Sequence, residues 1–351
     1  MKILQIIDIP WNSGITNYAL ELSVGLSRKG HRIFFAGVKD GLPVKLAKEN
    51  GFETTEICSR KNPFIFGTIL RLVKFIQLYK IDIVNAHTGK GHLLAYLALL
   101  FSNKKFAIIR TKADAMFPKK SFLYKKTKKI IAASEFIRKR YLKIGIEPEK
   151  VVTIYQGIDT SNYKLQITNY KLQTVGIVGR LDPVKGHRYF LEAAEIVLKK
   201  FPNAKFLIAG KEENIKYKEL EQLAEKLGIQ KSVEFFGYVE NVYDFMSKCT
   251  LGIIASTCSE AVSRVLLEWM VCGKPVVATL VGCIPEIVDN EFLVLPEDAK
   301  ALAEKILWFL ENTEKILAVG LKNRRIIEQK LGMKDFVNNT ERVYRKSLCN
   351  Q

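Results

Sequence analysis

The sequence predicts an α/β protein with two doubly wound parallel sheets. Two observations carry this expectation. Short β-rich runs alternate with amphipathic stretches along the chain, and the rhythm stops and restarts near the middle. A chain of 351 residues also exceeds the common single-domain range, so two domains of roughly 150–200 residues each are expected. A hydrophobic content of 48% is enough to fill two cores.

In the first half, strands are expected at residues 2–7, 32–36, 83–86, 106–110, 130–132 and 151–154. Helices fall between them, for example at 16–27, 65–79 and 135–143. The second half repeats the pattern, with strands at 175–178, 205–209, 233–236, 252–254, 275–278 and 292–294. Between the halves "NYKLQ" occurs twice, at 162–166 and 169–173. Two copies are too few for a solenoid, so the repeat reads as a duplicated insertion in a linker, with a short coiled-coil seed as the alternative. The expected domains are therefore 1–158, a linker at 159–174, and 175–333. A last helix near 335–347 lies in a tail, 334–351, that would cross back to the first domain.

Composition narrows the function. Lys+Arg 55 against Asp+Glu 36 leaves a net charge of +19, a field that attracts nucleic acid, anionic headgroups or phosphorylated ligands. The densest stretch, "FPKKSFLYKKTKK" at 117–129, interleaves aromatics with lysines in the manner of a membrane-surface contact. Lys119, Lys120, Lys125 and Lys126 are its candidate docking cations. The longest apolar run, "LLAYLALLF" at 93–101, is about half of what a bilayer requires. No targeting segment is expected, because "MKILQIID" reads as a first strand with an early Asp8. The six cysteines form no CxxC pair and the four histidines lack metal-ligand spacing, so reduced thiols and no zinc site are expected.

Parallel sheets bind ligands beyond the carboxyl ends of their strands, so loops after strands hold the candidates. In "DIPWNSGITNYALEL", Gly14 stands at a strand-to-helix turn. It either opens backbone amides to a ligand or simply makes the turn. In "VGRLDPVKGHRYF", Arg180 and Lys185 share a loop before a helix. They form a diphosphate clamp or ordinary surface charge. In "SEAVSRVLLE", Glu260 and Glu268 stand eight positions apart, which on one helix would leave them about 80° apart. Glu260 is better placed in the loop, with the helix starting near Ser263. The amides of Val262, Ser263, Arg264 and Val265 would then face an anion at the positive helix end. On this reading Glu260 accepts from sugar hydroxyls and Glu268 accepts from a ribose diol or salt-bridges locally.

The sequence resembles glycosyltransferase family 4, retaining enzymes of the GT-B fold. The motifs are "SEAVSRVLLEWMVCGKPVVATLVGCIPEIV", "VGRLDPVKGHRYFLEAA" and "VEFFGYVENVYDFMSKCTLGIIAS". In the first half "NSGITNYALELSVGLSRKGHRIFFAG", "DIVNAHT", "IIAASEFIRKRY" and "VVTIYQGID" fit as well. The resemblance implies two Rossmann-like domains facing across a cleft. It implies that Arg180 and Lys185 contact the donor diphosphate, Glu260 the transferred sugar and Glu268 the ribose, with Gly14 lining the cleft. Base recognition is expected near Gly237 and Tyr238. Departures from the family pattern are Ser13-Gly14 for paired glycines, Gln156 for asparagine, Ala261-Val262-Ser263, Leu280 and Cys283. Many members also carry a histidine where this chain reads "RTKADAMF". Arg110 on the acceptor side, Asp114, or His87 of "NAHT" is the expected substitute, although His87 reads equally well as a core residue.

The expected activity is retaining transfer of a hexose-type sugar from a nucleoside diphosphate donor to a glycan or lipid-linked acceptor, in envelope polysaccharide or lipopolysaccharide synthesis. No cofactor and no metal are expected, since no D-x-D triplet occurs. The expected location is cytoplasmic, at the inner face of the membrane. A catalytically inactive or non-transferase GT-B protein and a basic nucleic-acid-binding protein are the alternatives. The second would want its cations on one stripe, and here they spread over both halves.

Overall fold

The computed structural model describes residues 1–11, 13–59, 65–165, 173–258 and 260–349. The chain divides into two units, Met1–Gly157 with Met333–Gln351, and Ile158–Gly332.

In the first unit, β1 (Lys2–Ile7), α1 (Gly14–Arg28), β2 (Arg32–Val38), α2 (Leu42–Glu49) and β3 (Glu53–Ile57) follow one another. Then come α3 (Phe66–Tyr79), β4 (Ile83–Ala86), α4 (Gly89–Phe101), β5 (Ala107–Lys112), β6 (Thr127–Ala132), α5 (Glu135–Lys143) and β7 (Val151–Thr153). Among the described residues these strands make one parallel sheet in the order β3-β2-β1-β4-β5-β6-β7. Helices cover both faces of such a sheet, so its central strands are largely buried. The run "KILQII" of β1 is buried from Ile3 onward.

β3 was not expected from the sequence. Its "ETTEI" carries two glutamates, yet it is an edge strand in which Thr55 and Ile57 turn inward and Glu56 faces solvent. An edge strand buries too little to need an apolar run. The apolar stretch 93–101 belongs to α4, with Leu94, Ala95 and Ala98 packed inward and Leu100 and Phe101 exposed.

The second unit contains β8 (Thr174–Val178), α6 (His187–Leu198), β9 (Lys205–Ala209), α7 (Tyr217–Lys226), β10 (Val233–Phe235) and α8 (Val242–Ser247). It continues with β11 (Leu251–Ile254), α9 (Arg264–Val271), β12 (Val276–Thr279), β13 (Leu293–Val294), α10 (Ala299–Glu311) and α11 (Thr313–Lys330). The strand order is β10-β9-β8-β11-β12-β13, again parallel. Two neighbouring strands carry glycine at one level, Gly176 paired with Gly252. A Cβ at Gly252 would stand 2.4 Å from the Trp269 ring, and one at Gly176 would stand 3.0 Å from it. The missing side chains make room for the buried indole, which presses α9 onto the sheet.

The first NYKLQ copy is not a free linker. Arg324 Nη1 donates to the Tyr163 carbonyl at 2.8 Å, and Leu165 lies against Gly273. Unit two therefore begins at Ile158. The second copy lies outside the described residues except for Gln173.

The last helix, α12 (Met333–Cys349), packs in the first unit against α1. Gly25 allows the close approach, since a Cβ there would lie 2.3 Å from Val337 Cγ2. Glu341 ties α12 down. It pairs with Lys29, and it meets His31 Nε2 at 3.1 Å and Arg345 Nε at 2.8 Å. These partners, the Lys29 ammonium foremost, hold its carboxyl down at about 2 despite burial.

Candidate functional site

A pocket opens in the second unit beyond the carboxyl ends of β8 and β11, at the start of α9. Lys185, Ser256, Glu260, Ser263, Arg264 and Val265 are among its lining residues. Ser263 caps α9 only by position, for its side chain makes no capping bond, so the helix start keeps amides for a ligand. Glu260 lies in the loop before the helix and is buried. Its Oε1 accepts from Lys185 Nζ at 2.6 Å and from Ser256 Oγ at 2.6 Å. One helical turn further, Arg264 Nε donates to Glu268 Oε1 at 2.9 Å.

Backbone constraints hold this arrangement. Gly282 has φ +59, and a Cβ on it would fall 1.8 Å from the Glu260 carbonyl oxygen. The next amide, Cys283 N, donates to that same oxygen at 2.8 Å. Cys283 itself is right-handed helical (φ −86), so the departure from glycine costs no strain there. Its thiol is pushed up to about 12 by burial and is no nucleophile. Lys185 ends a tight turn, Pro183–Lys185, followed by Gly186 at φ +71. A Cβ on Gly186 would lie 1.9 Å from the Ala255 carbonyl, so the turn sits directly on the chain leaving β11. Asp182 caps the turn, accepting from Val184 N at 3.0 Å and Asn214 Nδ2 at 2.6 Å. Burial pushes the Asp182 carboxyl up, but these donors and the nearby cations outweigh it and the net shift is downward.

Several expected residues lie away from this pocket. Arg180 is half exposed, bonded to Glu213 at 3.0 Å, and does not line the pocket. Gly237 has φ +68 and its carbonyl accepts from Gly210 N at 2.9 Å. Tyr238 beside it is exposed. Glu268 is taken up by the local salt bridge, one of its two expected uses. Two partners escaped sequence reasoning. Ser256 is a common loop residue whose only signal was its spacing of four from Glu260. Tyr163 of the first NYKLQ copy sits near Glu268 and Arg264, and burial followed by the Glu268 charge raises its pKa.

In the first unit Gly14 begins α1, capped by Ser13 Oγ accepting from Thr16 N at 3.2 Å. The three candidates for the missing histidine do not form a reactive group. His87 is fully buried, with Nε2 2.8 Å from Gln5 Oε1 and 3.2 Å from Asn85 Nδ2. Asn85 also donates to Tyr344 Oη of α12 at 2.8 Å. Burial, helped by the Arg110 charge, lowers the His87 pKa to about 3. Burial and a neutral imidazole favour the core use of His87, the alternative its sequence context left open, although its Nδ1 has no partner. Arg110 is also buried, donating to the carbonyls of Ala86 (2.8 Å) and Thr111. Asp114 is partly exposed and pairs with Lys112. Among the described residues, no group of three or more His, Cys, Asp or Glu side chains is placed to share a metal ion. No described helix is long and apolar enough to cross a membrane.

Comparison with known proteins decides the family. The family described as Glycosyl transferases group 1 matches residues 173–312, and Glycosyltransferase Family 4 matches 12–162. The chain belongs to the family-4 glycosyltransferases. The N-acetyl-alpha-D-glucosaminyl L-malate synthase of Bacillus anthracis is 24% identical to it, over 92% of this chain and 91% of that protein. The capsular polysaccharide biosynthesis glycosyltransferase CapM of Staphylococcus aureus is 26% identical, over 81% of this chain and 82% of its own. Anabaena HepE in complex with UDP superposes with a TM-score of 0.86 at 20% identity, covering 99% of this chain and 100% of that one. That likeness shows the fold: the transferase is a GT-B protein with two Rossmann-like units.

Proposed function

We propose that this glycosyltransferase takes a hexose-type sugar from a nucleoside diphosphate donor seated in the second unit. The acceptor, a glycan or lipid-linked glycan, binds the first unit. One observation carries this reading: two cation–carboxylate pairs, Lys185–Glu260 and Arg264–Glu268, flank the open start of α9. A diphosphate entering at the helix start would draw Lys185 and Arg264 to itself. Glu260 would then accept from the sugar hydroxyls and Glu268 from the ribose. The pocket thus exchanges internal ion pairs for ligand contacts, each charge-assisted bond contributing about 1.5–3 kcal/mol.

The transfer proposed is front-face and retaining. The bond from C1 to the phosphate oxygen breaks, and the acceptor oxygen bonds C1 on the same face. The acceptor's proton passes to the departing phosphate oxygen. The helix start, Lys185 and Arg264 neutralise the leaving group, so turnover in excess EDTA is expected to match turnover without it. HepE was crystallised with UDP, which supports trying uridine donors first.

A lipid-linked acceptor fits the surface of the first unit. Phe117 (52%) and Phe122 (60%) are exposed, beside Lys119, Lys120, Lys125 and Lys126, which are exposed as well. Tyr124 turns inward instead, so two of the three aromatics face out. Reversing the four charges should release the protein from anionic vesicles, and unchanged sedimentation with vesicles removes the membrane from this proposal.

The decisive experiment is a thermal-shift panel of UDP, GDP, ADP and their sugars. Saturation at 100 times the dissociation constant stabilises by about 2.7 kcal/mol. No shift with any nucleotide would overturn the assignment of the donor seat.

A further inference from the structure

Asp8 is the residue immediately after β1, fully buried, and neither of its carboxyl oxygens has a hydrogen-bond partner. Such isolation is costly, because buried polar groups in folded proteins are otherwise paired. Its position explains why it is tolerated. β1 lies between β2 and β4, and the strand order reverses there. Ligands of doubly wound sheets bind outside the strand ends at such a reversal. Asp8 stands two residues beyond Ile6, which pairs with Ala86 of β4, and Thr88 stands two beyond Ala86. Thr88 is the N-cap of α4, its Oγ1 accepting from Gly91 N at 3.1 Å. The positive end of α4 therefore rises beside Asp8, and α1 starts from the other end of the β1 loop.

There is room at both helix starts. A Cβ added at Gly14 or at Gly89 would meet no atom within 4 Å. Gly14 and Gly89 are both exposed, so each helix start presents bare backbone to solvent, at the same end of the sheet as Asp8.

The geometry points to Asp8 as the acceptor-binding residue of the first unit, its two carboxyl oxygens accepting from a pair of hydroxyls on a sugar-type polyol. This rests on reading the first unit as the acceptor unit. Both oxygens are unpaired, which matches a diol. A diol fits this point better than a phosphate diester, which brings no donor to a carboxyl group. Asp8 has no part in the donor pocket, which the second unit lines by itself.

The test compares the full-length wild type with Asp8→Asn and Asp8→Leu. Thermal unfolding is measured alone, with UDP and GDP, and with glucose, galactose, N-acetylglucosamine and myo-inositol titrated to their solubility limits. Without ligand, both variants should melt at or above the wild-type temperature, because an unsatisfied buried group has been relieved. At least one polyol should stabilise the wild type and bind the variants about 10- to 100-fold more weakly. The nucleotides should shift all three proteins alike. Variants that both melt well below the wild type would show that Asp8 serves the fold, which overturns the proposal. Polyols that treat all three alike, or leave all three unmoved, overturn it too. Nucleotides that shift none of the proteins would instead sink the transferase donor seat, whatever the polyols do.

Discussion

The strand ends of the two units carry similar numbers of polar side chains and use them oppositely. In the second unit, Lys185, Glu260, Arg264 and Glu268 are paired with one another around an open helix start. In the first, Gln5, Asn85, His87, Thr111 and Tyr344 form a buried network under α12, in which Gln5 Nε2 and His87 Nδ1 have no partner. The difference teaches that a titratable group near a strand end is a functional candidate when a ligand can replace its partners or supply those it lacks. Ion pairs at a pocket can be exchanged for a diphosphate. A buried network bonded to a helix of its own unit has nothing to exchange.

The sharpest way to break this comparison is at Glu260. Glu260→Ala should lower kcat/KM for transfer by about 100-fold, while the circular dichroism spectrum stays that of the wild type. Normal turnover would remove the second unit's claim to be the reactive side. Gly282→Ala should match that loss without touching a charge, because the new Cβ forces the Glu260 backbone to move.

Next in size is Lys185→Ala. It should weaken UDP or GDP binding by roughly tenfold or more, measured by calorimetry, and it leaves Glu260 held by Ser256 alone. If affinity does not change, the cation is surface charge after all.

The anchoring of α12 through Glu341 is probed through stability. Glu341→Gln should cost roughly 1–3 kcal/mol in urea unfolding at neutral pH. The carboxyl is depressed to about 2, so its contribution is present above the unfolded value of 4.5 and is lost as pH falls toward 2. The variant and wild type should therefore converge in strong acid, and a constant gap down to pH 2 would contradict the ionic account.

The smallest effect on activity belongs to His87. Its pKa is lowered to about 3 by burial, so the unfolded chain takes up a proton near 6.5 and the folded chain does not. Stability must then fall as pH drops from 6.5 toward 3, by at most about 1.4 kcal/mol per pH unit from this group. Nearby His92 and, in the second unit, His187 add to the same trend, with values of about 3 and about 4. His87→Gln should reduce the loss between pH 7 and pH 5 and leave the pH–rate profile unmoved. A shifted profile would return His87 to the reaction.

Much of this molecule was legible in its sequence. The buried strands read correctly because strands covered on both faces must be apolar, as in "KILQII" and "LGII". The loop carrying Glu260 ahead of α9 was legible because glutamate spacing and a helix start are local properties. β3 was not, since an edge strand tolerates "ETTEI". The partners of Arg180 were not legible, because a flexible guanidinium chooses among carboxylates that only folding brings near, here Glu213 and Asp182.

The chain by itself determined the two-sheet architecture, the acids around α9, and the glycines that Trp269 and Glu260 require, since these follow from apolar periodicity and steric need. Only tertiary structure decided which polar groups are paired, which are walled in, and that Asp8 is left without a partner. Burial and hydrogen bonding depend on residues brought together from distant parts of the sequence, and no local pattern of residues specifies them.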